Sequence, residues 1–158
     1  MGIEYHLTLA GDIPLDELAA LAAPGATERA SFSGARLLST PTDSAQGYGV
    51  SIIEERDGYC EAESDNGQRW EWEPGRSVAV TFHMNKFADR EQARLHMLRT
   101  VAAVLHRRTE DAALTLNGDW LMLTRMNGRL RLHNASDWHH PSYEGVLDDT
   151  LRQGIQEQ

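Results

Sequence analysis

The residues best suited to chemistry lie between positions 54 and 73, where carboxylates and aromatic side chains are interspersed. This segment holds eight acidic and two basic residues, so it carries −6 of the chain's net charge of −9. Aromatic side chains supply contact area at a low entropic cost, and carboxylates attract arginine and lysine. The combination favours the binding of a protein partner with a basic surface.

Two turn signals predict how this segment pairs. Asp57-Gly58 and Asn66-Gly67 are typical of two-residue type I′ hairpin turns, in which both central residues need a positive φ. In the resulting register Glu63 lies opposite Trp70, and directly opposite side chains share a strand face. The candidate partner-binding residues predicted for this face are Glu54, Tyr59, Glu61, Glu63, Trp70 and Trp72.

The same segment also has a purely structural interpretation. Tryptophan is more often buried than displayed, so the tryptophans can be core residues while the carboxylates lie solvated at strand edges. A one-residue shift in register would exchange the two faces. Paired carboxylates are further compatible with acid–base catalysis of the glycosidase kind, although no other feature of the chain supports it.

The seven histidines and the single cysteine give little indication of a metal site or of a catalytic nucleophile. No His-x₃-His or His-Glu-x-x-His spacing occurs. The densest cluster consists of His133, Asp137, His139 and His140. Histidines in a surface loop explain this cluster better than a metal site does. The acidic residues around Cys60 disfavour the thiolate form, which is the reactive form of a cysteine. We therefore expect no cofactor, no metal and no catalysis.

Length and charge narrow the class of protein. The chain has 158 residues, of which 41% are hydrophobic, enough for one domain with its own core. A net charge of −9 argues against nucleic acid and against an anionic membrane surface as partners. One cysteine permits no internal disulfide, and no signal-peptide or membrane-spanning pattern is visible, so we expect a cytoplasmic protein.

The elements that position these residues follow the order β-α-β-β-β-β-α-β-β-β. Strands are predicted near residues 4–9, 48–56, 59–64, 68–73, 78–84, 112–116, 121–125 and 130–133. Because hairpins take the place of βαβ crossovers, the predicted fold class is α+β. It is a mainly antiparallel sheet of about seven to eight strands, with one long and one short helix packed on it.

Both predicted helices have recognisable starts. Asp12 is expected to cap a short helix from about Ile13 to Ala23, and Asp89 to open a long helix ending near Arg107. We expect residues 1–158 to form a single α+β domain. Within it, residues 134–158 are a loop and a terminal segment that either forms a short helix or frays.

Three stretches resemble a known family. They are residues 1–11 (MGIEYHLTLAG), the Trp70-Glu71-Trp72 strand, and residues 111–125 (DAALTLNGDWLMLTR) with the Gly128 turn that follows. The chain resembles, over roughly residues 1 to 133, the Sit-type immunity proteins. These are the immunity partners of swarming-inhibition toxins in bacterial kin recognition. The resemblance implies a non-enzymatic protein that binds and neutralises a cognate toxin, and it supplies no binding residues.

Three hypotheses about function follow. The first is a cytoplasmic immunity protein whose acidic surface binds a basic toxin, with no role for nucleic acid or membrane. The second is a small-ligand or peptide-binding α+β domain with a cavity between the sheet and the long helix. The third is a hydrolase that uses the carboxylates or the cluster around His133, His139 and His140. The sequence does not predict an oligomeric state.

Overall fold

The computed structural model describes residues 2–134, 138, 146 and 147. Its strands are β1 (Glu4–Ala10), β2 (Thr27–Arg29), β3 (Leu37–Ser39), β4 (Tyr48–Glu63), β5 (Arg69–Met84), β6 (Ala112–Leu116), β7 (Trp120–Met126) and β8 (Arg129–Leu132). The helices are α1 (Leu15–Ala22) and α2 (Arg90–Arg107). The strands of the described residues form one sheet in the order β2-β3-β4-β5-β1-β6-β7-β8, and neighbours in this order are antiparallel. This confirms the predicted α+β class.

The main core lies between one face of the sheet and the two helices. Alternate residues of the central strands point into it, as the period of two predicts. Fully buried members include Leu7 and Leu9 of β1, Val80 and Phe82 of β5, Leu18 of α1, and Met97, Leu98 and Val101 of α2. The alternation predicted for β1 and for residues 78–84 is therefore confirmed.

β4 and β5 are each 16 residues long, so the hairpin predicted at Asp57-Gly58 is wrong. The chain passes straight through this dipeptide, and neither residue has a positive φ. The glycine has a different cause: a Cβ on Gly58 would lie 2.7 Å from Ser77 Oγ and 3.0 Å from the Gly75 carbonyl oxygen. Close approach of β5 at an irregular point of the ladder, and not a turn, therefore requires glycine here.

The predicted register of the second hairpin is also wrong, by one residue. Its loop has three residues, Asp65–Gly67, and is closed by the Ser64 amide donating to the Gln68 carbonyl over 2.6 Å. Asn66 and Gly67 do adopt positive φ angles of 59° and 74°. The extra loop residue pairs Ala62 with Trp70 and Cys60 with Trp72. Glu63 therefore lies opposite Arg69 and not opposite Trp70.

The far end of this hairpin folds over the sheet; we name residues 58–75 the hairpin arm. Register shifts between Glu55 and Cys60 mark the bend, as bulges do in long strands. Beyond the bend, the sulfur of Cys60 lies 3.8 Å from Thr8 Oγ1. Thr8 alternates with Leu7 and Leu9, so the hairpin arm covers the sheet face opposite the helices. The fold thus has three layers: helices, sheet and hairpin arm.

Most of the remaining local predictions are confirmed. α2 begins after Asp89, whose side chain accepts a hydrogen bond of 3.1 Å from the Gln92 amide. The chain turns from β7 into β8 at Asn127-Gly128, where the φ angles are 53° and 81°. The cap predicted for Asp12 is wrong, because α1 begins after Pro14 and Asp12 pairs with Arg76 at 3.1 Å.

Two short strands were not predicted, because β2 and β3 have only three residues each and the first is exposed throughout. The terminal segment predicted for residues 148–156 lies outside the described residues.

Candidate partner-binding surface

The structure divides the predicted partner-binding residues between two faces of the hairpin arm. The outer face, away from the sheet, carries Tyr59, Glu61 and Glu63, whereas Trp70 and Trp72 lie on the inner face. Glu54 is separate from both groups, because it precedes the bend and pairs with Val78. The two-residue turn predicted at Asp57-Gly58 would place Glu54 opposite Glu61, and that pairing is wrong because Glu61 pairs with Glu71. A single extra loop residue accounts for the separation of the two tryptophan rings from Glu61 and Glu63.

On the inner face the two tryptophans form the cover of a second, small core. Their ring centroids are 6.1 Å apart with a tilt of 41°. They are half-buried against three buried residues: Ala62 of β4, Ala113 of β6 and Leu121 of β7. Apolar contact of this kind stabilises the folded-over position of the hairpin arm.

On the outer face a network of polar side chains joins the two strands. The hydroxyl of Tyr59 donates to Glu61 over 2.9 Å, and this hydrogen bond raises the pKa of the phenol. Arg69 pairs with Glu61 and, at 2.8 Å, with Glu71. The hydrogen bond from Arg69 lowers the pKa of Glu71. Tyr59 remains 50% exposed, so the network lies at the surface.

The tip of the hairpin arm is pinned to the ends of β7 and β8 by buried polar groups. His133 is 4% exposed, and its Nδ1 and Nε2 lie 2.8 Å and 2.9 Å from the hydroxyls of Ser64 and Thr124. The side-chain amide of Asn134 donates to the carbonyls of Glu63 and Leu121, over 3.1 Å and 2.8 Å.

Two pKa shifts follow from the pinned tip. Burial is the main cause that lowers the pKa of His133. The backbone hydrogen bond that Asp65 accepts from the Asn134 amide, over 2.7 Å, lowers the pKa of the Asp65 carboxyl. His133 is thus favoured in its neutral form, and Asp65 in its charged form.

This pinned tip corrects the surface location predicted for His133. Sequence reasoning missed the contacts of the tip because they join residues 69 positions apart, His133 with Ser64 and Asn134 with Asp65. The asparagine that follows His133 is itself a local signal, because asparagine tolerates a positive φ better than most residues. In the structure Asn134 does have a φ of 52°. The other members of the predicted cluster, Asp137, His139 and His140, lie outside the described residues.

The buried serine and histidine lack the geometry of a catalytic triad. Ser64 and Asp65 both approach Nδ1, whereas a triad needs the nucleophile and the carboxylate on opposite ring nitrogens. Burial raises the pKa of the Cys60 thiol, which keeps it protonated. Among the described residues no group of three or more His, Cys, Asp or Glu side chains could hold a metal ion.

Two concavities bear on the hypothesis of a ligand-binding domain. Where α2 begins, a cavity of about 120 Å³ is lined by Tyr5 and Met84 of the sheet and by Ala93 of the helix. A larger groove of about 610 Å³ lies elsewhere, at the bend between β4 and β5, and Glu54 lines it.

Neither helix of the described residues has the length and apolar character needed to cross a bilayer. No curated protein and no solved structure matches the chain. A family model described as SitI3-like matches residues 3–142, which includes all eight strands and both helices of the described fold. The match is consistent with a Sit-type immunity protein and includes the pinned hairpin arm. The chain therefore belongs to the SitI3-like family.

Proposed function

We propose that this protein is a non-enzymatic immunity protein that binds and neutralises a cognate bacterial toxin with a basic surface. The family match supports an immunity protein in general terms. The observation that carries the finer proposal is the exposed, acidic outer face of the hairpin arm. The contact residues that we propose there are Tyr59, Glu61, Glu63 and Glu71.

The charges of the outer face favour a cationic partner. Glu61 and Glu71 share one cation, Arg69, while Glu63 and Glu73 are exposed and form no ion pair with any described residue. Four carboxylates against one guanidinium leave this face with an excess negative charge. The electrostatic field of this negative charge steers a basic protein toward the outer face and accelerates association, and added salt weakens the effect.

The hairpin arm is also held in place before any partner arrives. The second core fixes its inner face, and the hydrogen bonds of Ser64 and Asn134 fix its tip. A surface that is already ordered loses less conformational entropy on binding than a mobile one. We therefore assign Trp70 and Trp72 a supporting role in the proposed surface. Cys60 as a free thiol fits the reducing cytoplasm in which such a protein would act.

The test uses the product of the gene adjacent to this one as the candidate toxin. Growth of cells that express this toxin, with and without the immunity protein, measures neutralisation, and calorimetry measures binding. We expect rescue of growth and 1:1 binding whose affinity falls as salt rises. No binding and no rescue would overturn the proposal for this toxin pair.

A matched pair of charge reversals then tests the surface. Glu63→Lys changes the outer face, while Asp43→Lys makes the same charge change in the exposed loop before β4, at the opposite end of that strand. We expect Glu63→Lys to slow association by about tenfold or more and Asp43→Lys to have little effect. Equal effects would show that only net charge matters and would contradict the proposed surface.

A further inference from the structure

A serine, a histidine and a glutamate form a hydrogen-bonded chain on the sheet face opposite the helices. The hydroxyl oxygen of Ser51 lies 2.9 Å from Nε2 of His83, and Nδ1 of the same ring lies 2.7 Å from a carboxylate oxygen of Glu4. The hydroxyl and the carboxylate thus occupy opposite ring nitrogens, which is the arrangement that a catalytic triad needs. We name these three residues the Ser51 triad.

The register of the sheet brings the three side chains together. Glu4 of β1 lies directly opposite His83 of β5, so their side chains share a face. Ser51 of β4 lies opposite Thr81, two residues before His83, and this diagonal position is within reach of the histidine ring. By the period of two, Glu4 also shares its face with Thr8, which lies on the side away from the helices.

Ordered backbone surrounds the Ser51 triad. The amide of Glu4 donates to the side-chain oxygen of Asn117 over 2.9 Å, and the Asn117 amide donates to the Glu4 carbonyl over 2.7 Å. Gly49 lies opposite His83 in β4. A Cβ on Gly49 would lie 2.9 Å from backbone atoms of residues 40–41, so the glycine lets this segment pass beside the triad. The site is therefore held in place by elements of the fold before any reactant arrives.

The hydrogen bonds assign the proton of the neutral imidazole. A carboxylate only accepts hydrogen bonds, so Nδ1–H of His83 donates to Glu4. Nε2 then carries a lone pair and accepts from the hydroxyl of Ser51. A hydroxyl that donates to a base, oriented in turn by a third group, is activated as a nucleophile. The side chains of His83 and Glu4 are 38% and 40% exposed, so a reactant has access to the triad.

The position of Ser51 inside the sheet limits the reaction. Ser51 lies between Ser39 of β3 and Thr81 of β5, where the backbone amides are used in strand pairing. The amides around Ser51 are therefore not available as an oxyanion hole, which supplies much of the rate of a serine hydrolase. We therefore expect reaction with activated acyl donors, whose leaving groups depart readily, and slow hydrolysis of the acylated serine.

We propose that Ser51 is a nucleophile that accepts an acyl group from an activated, uncharged ester. The Ser51 hydroxyl oxygen forms a bond to the acyl carbon, and the bond from that carbon to the leaving oxygen breaks. His83 takes the hydroxyl proton on Nε2 and passes it to the leaving oxygen, which departs as an alcohol. Glu4 is a positioning residue that holds the ring, and its negative charge disfavours anionic donors.

This inference goes beyond the proposed toxin binding and does not depend on it. None of the three triad residues belongs to the outer face of the hairpin arm, and one acyl group held per chain requires no turnover. Ser51→Ala should therefore leave toxin binding unchanged, and Glu63→Lys should leave the reactivity of Ser51 unchanged. Each proposal can fail while the other holds.

A fluorophosphonate probe tests the nucleophile, because it forms a bond from phosphorus to an activated serine oxygen and releases fluoride. We expect labelling of the folded protein at Ser51, located by mass spectrometry of its peptides, and loss of labelling in Ser51→Ala. Ser39→Ala is the matched control and should be labelled like the wild type. Ser39 lies directly opposite Ser51 in β3 and forms no side-chain hydrogen bond with a described residue.

The unfolded wild-type chain separates an activated serine from an ordinary one, and it does not depend on how any variant folds. In urea the triad is dispersed, so labelling at Ser51 should be lost. Absence of labelling at Ser51 in the folded wild type, or equal labelling in the folded and unfolded chain, would overturn the inference.

The ester p-nitrophenyl acetate tests the acyl transfer itself. Wild-type protein should release one equivalent of p-nitrophenolate in a burst and carry the acetyl group on Ser51, and His83→Gln should abolish the burst. The anionic ester mono-p-nitrophenyl succinate should react about fivefold more slowly or less. Acetylation confined to Lys86 or other side chains, without Ser51, would contradict the proposed reaction.

The role of Glu4 is tested by Glu4→Gln, which keeps the size of the side chain and removes its charge. Labelling of Ser51 should slow by about tenfold or more. The melting temperature should change little, because an exposed ion pair contributes little to stability. Nitrogen NMR of the imidazole should show the proton of His83 on Nδ1 in the wild type and on either nitrogen in the variant. Labelling of Glu4→Gln at the wild-type rate would show that the carboxylate positions nothing and would overturn the triad.

Discussion

The hydroxyl oxygen of Ser64 lies 2.8 Å from Nδ1 of His133, which joins the tip of the hairpin arm to the end of β8. Both residues are buried, at 7% and 4% exposure. Ser64 Oγ also lies 3.3 Å from Asp65 Oδ2, so the hydroxyl can donate to the carboxylate and accept from the imidazole. The proposed partner surface thus depends on a contact between residues 69 positions apart.

Removing this hydroxyl should loosen the tip. We expect Ser64→Ala to lower the free energy of unfolding by about 1–3 kcal/mol, because it leaves Nδ1 of His133 buried with no partner nearer than Asp65. The nearest oxygen of Asp65 is 3.6 Å from that nitrogen. Urea denaturation measures the change, and Thr42→Ala, which removes an exposed hydroxyl, is the control. A change below about 0.5 kcal/mol would contradict the role of the contact.

The stability of the fold should fall as the pH drops below 6.5. Burial lowers the folded-state pKa of His133 from 6.5, so the unfolded chain takes up a proton first. The stabilisation due to the neutral ring is complete above pH 6.5 and is lost as the pH falls toward the folded-state pKa. His6 contributes in the same direction, because burial lowers its pKa too.

The pH prediction is measured as the free energy of unfolding between about pH 7.5 and pH 5.5. His133→Gln should flatten this dependence, since glutamine does not titrate, while the remaining slope reports His6. His106→Gln, at an exposed position of α2, should leave the dependence as it is in the wild type. An unchanged slope in His133→Gln would show that His133 is protonated without cost in the folded state.

Gly58 should tolerate no larger side chain. A Cβ at this position would approach Ser77 Oγ to 2.7 Å and both the Gly75 carbonyl oxygen and Pro74 Cγ to 3.0 Å. We expect Gly58→Ala to cost about 1–3 kcal/mol of stability, measured by urea denaturation. Adding Ser77→Ala should recover part of this loss, because it removes the closest of the three contacts but leaves the backbone one.

A neighbouring substitution separates this clash from a general effect on the strand. Asp57→Ala changes an exposed side chain at the same bend and should alter stability by less than about 0.5 kcal/mol. If Gly58→Ala were equally mild, β5 would be able to move away, and close approach would not explain the glycine.

The fold class was predictable from the sequence because hydrophobic alternation and turn dipeptides are local signals. Asn127-Gly128 turns as predicted, with positive φ at both residues. Asp57-Gly58 has a similar composition and does not turn, because pairing with β5 extends the strand through it. A dipeptide shows that a turn is allowed, but the partner strand decides whether the chain turns there.

The candidate surface was less predictable, for two physical reasons. The period of a strand is two, so the one extra loop residue at Asp65–Gly67 moved Trp70 and Trp72 to the face opposite Glu61 and Glu63. The contacts of His133 with Ser64 and of Cys60 with Thr8 also join distant segments. Only the three-dimensional fold brings such pairs together, since nothing in the local sequence specifies them.

The separation of the two faces predicts different behaviour for their residues. Trp72 packs against the small core of Ala62, Ala113 and Leu121, so Trp72→Ala should lower the free energy of unfolding by about 2–4 kcal/mol. Its effect on toxin association should be small at temperatures where the variant is folded. Glu63→Lys should behave in the opposite way, with slower association and nearly unchanged stability, because Glu63 is exposed and forms no ion pair with the described residues.

Urea denaturation and stopped-flow association, measured on the same two variants, compare these effects. Trp72→Phe serves as the conservative control, since it keeps an aromatic ring against the small core and should restore most of the stability. If Trp72→Ala slowed association without a loss of stability, the tryptophan would be a contact residue, as the sequence pattern predicts. The partner would then have to reach the inner face, which requires the hairpin arm to lift away from the sheet and release the contacts of Ser64 with His133.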